Sequence, residues 1–351
     1  MDPQRHVVAG PMAPTSMKTA RKSFAITNTY VRSHPANKEI VSVHTSTPAV
    51  EKRTFNLEQN QVYQGTVNVL SIIDTNKDIM CCKYTEDTND VAAGFTDDVN
   101  GCIKCWSYKY DQCLYTIREK RQTLGLCYHP CHSKFVTYGD DAKLNMYDEE
   151  AQTQERAFYS SGHRSKMDGH ESRIFACAFN PKSHHELISG GWDNAVMCWD
   201  DRQPYATRYF LGIHMCGEGL DFDKPGRQIL TCSWQEKDAI QLWDYGSCKL
   251  IETIVPDNFS SKLYCGKMVP HTNLIVCGGS DANILRVVDT NMKVTECCIR
   301  NNPGGIYAFD FGTVRRKVKK ATDSYKKISE IGLVPRVSFV TGKRLQTVDF
   351  G

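Results

Sequence analysis

No uninterrupted run of about 18 apolar residues, the length a helical membrane span needs, occurs in the chain. No such span is therefore expected. Asp2, Pro3 and Gln4 open the sequence with no apolar segment behind them, so a secretory leader is not expected either. The short motifs that concentrate chemistry are also missing. There is no Walker loop, dinucleotide fingerprint, nucleophile elbow or zinc-protease helix. Cys102-Ile103-Lys104-Cys105 has the CxxC spacing, but no second CxxC follows it, as a four-thiolate zinc site would require. No metal and no cofactor are expected, and no catalytic residue is assigned.

Cysteine, by contrast, is plentiful, with 16 residues. Without a leader, free thiols in a reducing compartment are expected. That makes the location intracellular: cytoplasmic, with the nucleus also open. Most cysteines, including Cys81-Cys82 and Cys297-Cys298, fall in strand-like runs and read as small buried hydrophobes. Cys127, His129, Cys131 and His132 lie close together; a small metal site there is the weaker reading.

The net charge of +3 is unevenly spread. Residues 1–37 carry +4 and residues 314–327 carry +6, which leaves −7 for the rest. A mildly acidic body with two basic appendages does not suit a direct nucleic-acid ligand, which favours a basic face on the folded domain.

The body repeats itself. Gly169-His170 leads to Ile174-Phe175-Ala176-Cys177-Ala178-Phe179, then to Leu187-Ile188-Ser189-Gly190-Gly191-Trp192-Asp193, then to Val196-Met197-Cys198-Trp199-Asp200. These are short β-rich runs separated by turn residues, an all-β signature. The frame recurs around Leu126 to Asp148, Leu220 to Asp244, Leu263 to Val288, and upstream around Met80 to Ser107. Asp141 to Tyr147, Asp193 to Trp199 and Asp281 to Val287 keep one step from turn Asp to closing residue. A sixth unit begins at Gly305-Ile306-Tyr307 and resumes near Arg336 after an interruption.

This pattern resembles the WD-repeat family, whose fold is a β-propeller with about 40–45 residues and four strands per blade. The resemblance is good over residues 60–311 and weak over 312–351. It implies an all-β propeller; the residue count points to seven blades of four antiparallel strands, with a short helical insertion in the last. Residues 38–351 would form the propeller and residues 1–37 a disordered basic tail. Either Ile40–His44 or Val67–Ser71 would complete the last blade. The resemblance also implies that His170, Ser189, Asp193 and Trp199 form one hydrogen-bonded structural tetrad. Other blades depart from it: Val287 replaces Trp in the fifth, Asp238 sits closer to Trp243 in the fourth, and Asn100 replaces Asp in the first. Those blades are expected to lean on packing.

In similar proteins the residue before the turn Asp, and one near the start of the first strand, face partners at the narrow end. Carried over, these are Trp192 and Phe175 with Arg173 beside them, Tyr264 and Tyr307, and Asp140 and Ser280. Leu124 and Glu218 align with the second position. Aromatic residues and Arg are common interface anchors, though Phe175, Tyr264 and Tyr307 also suit packing between blades. The function expected is a non-catalytic scaffold for protein or peptide partners.

Two alternatives stand beside it. Trp199-Asp200-Asp201-Arg202 resembles the box by which some WD-repeat proteins dock on the adaptor of cullin-RING ubiquitin ligases, with Arg202 as the contact. A ligand-binding or enzymatic propeller using the central channel is the other, although no paired carboxylates or Ser–His arrangement were seen aimed there. Finally, Val314, Val318, Ala321, Tyr325 and Ile328 step along one side of a helix over 314–331, within an insertion spanning 314–335. Packing on the propeller, binding an acidic partner or membrane, and nuclear import are all compatible with it.

Overall fold

The computed structural model describes residues 78–84, 90–96, 101–107, 110, 112–163, 165–312, 335, 337–341 and 344–348. All regular structure among them is β. Blade 1 holds β1 (Asp78–Tyr84), β2 (Asp90–Thr96), β3 (Gly101–Ser107) and β4 (Gln112–Glu119). Blade 2 holds β5 (Thr123–Tyr128), β6 (Lys134–Gly139), β7 (Leu144–Asp148) and β8 (Thr153–Phe158). Blade 3 holds β9 (Ile174–Phe179), β10 (Glu186–Gly191), β11 (Ala195–Asp200) and β12 (Arg208–Leu211). Blade 4 holds β13 (Leu220–Phe222), β14 (Gln228–Cys232), β15 (Ile240–Asp244) and β16 (Lys249–Ile254). Blade 5 holds β17 (Lys262–Met268), β18 (Leu274–Ser280), β19 (Leu285–Asp289) and β20 (Val294–Ile299). A sixth sheet has β21 (Ile306–Phe311), β22 (Val337–Thr341) and β23 (Arg344–Val348).

Each sheet runs in chain order with antiparallel neighbours. The first strands of successive sheets contact one another, so they form the inner ring. The result is an all-β propeller. The expected seven four-stranded blades are corrected: the described residues make five, plus one three-stranded sheet. The expectation divided chain length by repeat length, and chain length counts residues whether or not they build a sheet. The strands proposed for ring closure and the helical insertion lie outside the described residues.

Alternation explains the cores. Middle strands are buried on both faces, as in β11, where Ala195 to Trp199 are all buried. Outer strands are more exposed, as in β16, where Lys249, Leu250 and Ile251 face solvent. Apolar residues then meet between blades. Ile188, Val196 and Phe210 of blade 3 pack with Ile229 and Trp243 of blade 4, and the Phe210 and Trp243 rings stack at 4.5 Å. Close approach needs small residues at the seams. A Cβ on Gly278 would lie 2.5 Å from Ile306 of the next sheet, closer than packed atoms come.

One irregularity recurs. In blades 1, 2, 3, 5 and 6 the pairing of the first strand slips near its start. In blade 3, Ile174 pairs with Gly191 and Ala176 with Gly190, which leaves Phe175 unpaired. Tyr264 and Tyr307 are skipped in the same way. A bulge of this kind re-aims a side chain, and here it sends three aromatic rings toward one end of the ring.

Candidate functional site: an aromatic crescent at one end of the propeller

First strands begin, and second strands end, at the same end of the ring. The bulged Phe175, Tyr264 and Tyr307 lie there, with Trp192 just past β10 and Trp234 just past β14. The rings form a chain. Phe175 and Trp192 are 5.3 Å apart between centroids. Trp192 stacks on His214 at 6.2 Å, and His214 lies 6.2 Å from Trp234. Trp234 lies 6.5 Å from Tyr264, which lies 5.1 Å from Tyr307. The crescent thus crosses four sheets, and each of its six rings is half-buried. Arg173 sits over Trp192 at 5.4 Å and Lys262 over Trp234 at 4.9 Å, both in cation–π range.

The backbone fixes this arrangement. Trp192 N–H donates to the Arg173 carbonyl (3.0 Å), and Trp234 N–H donates to the His214 carbonyl (2.8 Å). The indole N–H of Trp192 donates to Cys216 Sγ at 3.1 Å. His214 shares a 2.9 Å bond with Asn194 Oδ1, and burial pushes its pKa below the ordinary imidazole value.

Of the residues singled out from sequence, the structure brings together Arg173, Phe175, Trp192, Tyr264 and Tyr307. Ser280 sits beside them; its carbonyl accepts from Ser261 Oγ at 2.7 Å. Asp140 holds the corresponding place in blade 2, but its bonds stay there: its carboxylate accepts from Gln122 N–H at 3.0 Å. Glu218 points elsewhere and pairs with Lys83. Arg202 lies away from the crescent, at the end of blade 3 past β11. Its side chain is 70% exposed, and its guanidinium folds onto Asp200 through bonds of 2.8 and 2.5 Å. His214 and Trp234 were missed. They lie in the least regular repeat, where an alignment of turn Asp residues gives no guide.

The inner strands also bring charges together, of which sequence alignment had singled out only Glu218. Lys83 of blade 1 reaches Glu218 at the start of blade 4 at 2.8 Å, and Lys267 meets Asp310 at 2.7 Å. Asp221 accepts the N–H of Met268 at 2.8 Å, and burial raises its carboxyl pKa to about 6. These groups come from the inner strands of four different sheets, so no local spacing links them. They largely neutralise one another.

The structural tetrad forms in blade 3. His170 Nδ1 lies 2.7 Å from Asp193 Oδ2 and its Nε2 lies 2.7 Å from Ser189 Oγ, to which the Trp199 indole donates at 2.8 Å. His129, weighed above with Cys131 and His132 as a metal site, accepts their backbone N–H groups on Nδ1 at 3.0 Å.

A β-propeller with an aromatic crescent at one end defines a class of protein that presents a surface. The comparisons name the repeat. The model for "WD domain, G-beta repeat" matches residues 162–200, which is blade 3 with its lead-in loop. A ribosome biogenesis protein WDR12 homolog of Anopheles gambiae is 24% identical over 138 residues, 39% of this chain and 28% of that protein. The WDR12 homolog of Ixodes scapularis is 22% identical over 148 residues, 42% of this chain and 32% of that protein. The matches thus span about a third of those relatives' length. Among solved structures, a chain in the crystal structure of the mitotic checkpoint complex superposes with a TM-score of 0.63, over 82% of this chain and 78% of that one. At 14% identity this is a likeness of fold alone. The chain folds as a β-propeller and carries a WD repeat in blade 3. No helix among the described residues is long and apolar enough to cross a membrane.

Proposed function

We propose that this protein is a non-catalytic scaffold that takes a protein or peptide partner on the aromatic crescent. One observation carries the reading: six half-buried rings in contact across four sheets, with Arg173 and Lys262 lying over two of them. Rigid aromatic surface with fixed cations is the composition of interface hot spots. It suits a partner segment bearing apolar and acidic side chains. In this reading the propeller domain spans residues 38–351 and follows a basic tail at 1–37.

The test is a pull-down with mass spectrometry, comparing wild type with a Phe175→Ala, Trp192→Ala double variant. A stoichiometric partner lost from a variant of unchanged thermal stability supports the reading. Retention of every partner overturns it.

The name of the WDR12 homologs suggests a setting in ribosome biogenesis, and so a nuclear location. Absence of the protein from pre-ribosomal fractions on a density gradient would remove that setting without touching the crescent. A second reading, docking on a ubiquitin-ligase adaptor, draws on the exposure of Arg202. It predicts that Arg202→Ala loses the adaptor while the fold survives. If the adaptor never accompanies wild type, the idea fails.

A further inference from the structure

Three pairs of thiols straddle neighbouring blades. Cys127 of β5 neighbours Cys177 of β9, and Cys232 of β14 neighbours Cys277 of β18. Both members of the latter pair are buried. The third pair differs. Cys198 of β11 is fully buried in the seam between blades 3 and 4, but its neighbour Cys248 is half-exposed in the turn between β15 and β16. Their sulfurs lie 4.0 Å apart.

The surroundings of Cys248 set it apart. Its φ is +54°, a left-handed conformation that glycine or asparagine adopts more readily. The backbone therefore gives no reason for a cysteine there. Arg208 Nη1 donates to the carbonyls of Tyr245 and Gly246 at 2.5 and 2.7 Å, and its guanidinium lies 4.5 Å over the Tyr245 ring. A cation is thus held against the turn that carries the thiol. The hydrogen bond from Cys198, joined by the charge of Arg208, holds the Cys248 thiol below the usual range. The same bond and burial push Cys198 up. An accessible, acidified thiol beside a buried one is the arrangement of an attacking and a resolving cysteine.

We propose that Cys248 and Cys198 are a redox-responsive pair that closes to a disulfide across the seam of blades 3 and 4 when the protein meets a peroxide. The Cys248 thiolate attacks a peroxide oxygen. An S–O bond forms, the O–O bond breaks, and the departing hydroxide takes a proton to become water. Cys248 is now a sulfenic acid and the peroxide is reduced. Cys198 then gives up its proton and attacks the Cys248 sulfur. The S–S bond forms, the S–O bond breaks, and the oxygen leaves as water. Two thiols and one hydrogen peroxide yield one disulfide and two waters. The sulfurs must approach to about 2 Å, which asks for side-chain rotation and a shift of an exposed turn. A small thiol reverses the bond by exchange.

The test uses the full chain, hydrogen peroxide as the probe, and peptide mapping after alkylation. The expected product is a Cys198–Cys248 linked peptide that dithiothreitol removes, while Cys232 and Cys277 stay reduced. In Cys198→Ser, dimedone should capture a sulfenic acid at Cys248 on the order of tenfold faster than at the exposed Cys113 or Cys131. In Cys248→Ser, Cys198 should stay unmodified. If Cys113 and Cys131 oxidise while Cys198 and Cys248 remain free, the proposal is overturned. A linked peptide that appears only after unfolding in urea overturns it equally. If Cys198→Ser does not fold, the wild-type map alone decides.

Discussion

Blades 2 and 3 stand side by side, share a turn that begins with Asp, and hold that turn with different chemistry. In blade 3 an imidazole does the bridging: His170 joins Asp193 to Ser189, and Trp199 closes the set. In blade 2 a guanidinium takes the same place. Arg121 Nη1 bonds Asp141 Oδ1 at 2.8 Å, and its Nη2 bonds Thr137 Oγ1 at 2.6 Å. The added charge needs a counter-charge, and Glu119 at the end of blade 1 supplies it. Its carboxylate accepts from Arg121, Thr123, Thr137, Asn145 and Tyr147. Glu119 and Arg121 side chains are 2% and 3% exposed. Of the Arg121 nitrogens, Nη1 and Nη2 find partners and the buried Nε does not, so the network is close to satisfied rather than complete. Blade 5 also buries an arginine, but Arg286 grips Asp257 in the loop before β17, at 3.1 and 3.2 Å, while the turn residue Asp281 is exposed. Blade 2 was not among the blades expected to lean on packing, and in blade 5 Val287, which stands in place of Trp, is buried in the core. Blade 4 keeps one tetrad bond, from Trp243 to Thr231 at 3.3 Å. In blade 2 the lost tetrad was replaced by another hydrogen-bonded set, because the turn still has buried polar groups that need partners.

The sharpest way to break the comparison is Glu119→Ala. It removes the buried counter-charge and leaves Arg121 only the partly exposed Asp141, and stability should fall by about 3–5 kcal/mol in urea unfolding. His170→Ala in blade 3 removes bonds without taking a counter-charge from a guanidinium, and should cost about 2 kcal/mol. If the two losses are equal, the two networks are energetically alike and the distinction drawn here fails.

The position before the turn Asp separates the blades in function. Trp192→Ala should weaken the partner by about 2 kcal/mol in a titration, roughly 30-fold. Asp140→Ala, at the same place in blade 2, should leave binding unchanged. An equal loss from both would extend the working surface beyond the crescent.

Acid provides a finer probe. Burial acts to raise the pKa of Glu119 and of Asp193, but their partners, Arg121 and His170 foremost, outweigh it and hold both below ordinary values. The stability these carboxylates contribute is thus present above about pH 4, near their unfolded values, and is lost as pH falls through the folded ones. The stability gap between wild type and Glu119→Gln should narrow as pH drops below that point. A gap that stays constant would show that Glu119 does not titrate with folding. The smallest effect concerns the turns themselves. Asn194 follows the turn Asp of blade 3 at φ +56°, and Ala142 follows that of blade 2 at φ +60°. Asparagine tolerates this conformation and alanine does not, so Ala142→Gly should stabilise by up to about 1 kcal/mol. Destabilisation would mean that the two turns are not equivalent.

Much of this was legible because the repeat is local. Gly169-His170, Ser189, Asp193 and Trp199 fall within one short stretch, so residue types and spacing report the tetrad directly. Phe175, Tyr264 and Tyr307 were legible for the same reason: each sits near the start of a first strand. What made them point outward, a recurring bulge, was not, since a slip in pairing leaves no mark on composition. Arg121 and Glu119 were overlooked because neither is a residue type the repeat pattern uses.

The sequence alone determined the class of fold, the period of the blades and the bonding of blade 3, since each depends on residues a few positions apart in a regular frame. The tertiary structure decided the rest. It set the number of sheets among the described residues, the Glu119 network, the continuity from Phe175 to Tyr307 through His214 and Trp234, the charges facing one another across the inner strands, and the meeting of Cys198 with Cys248. These contacts join side chains from different sheets, and only the packing of the sheets around a common axis brings such residues within reach of one another.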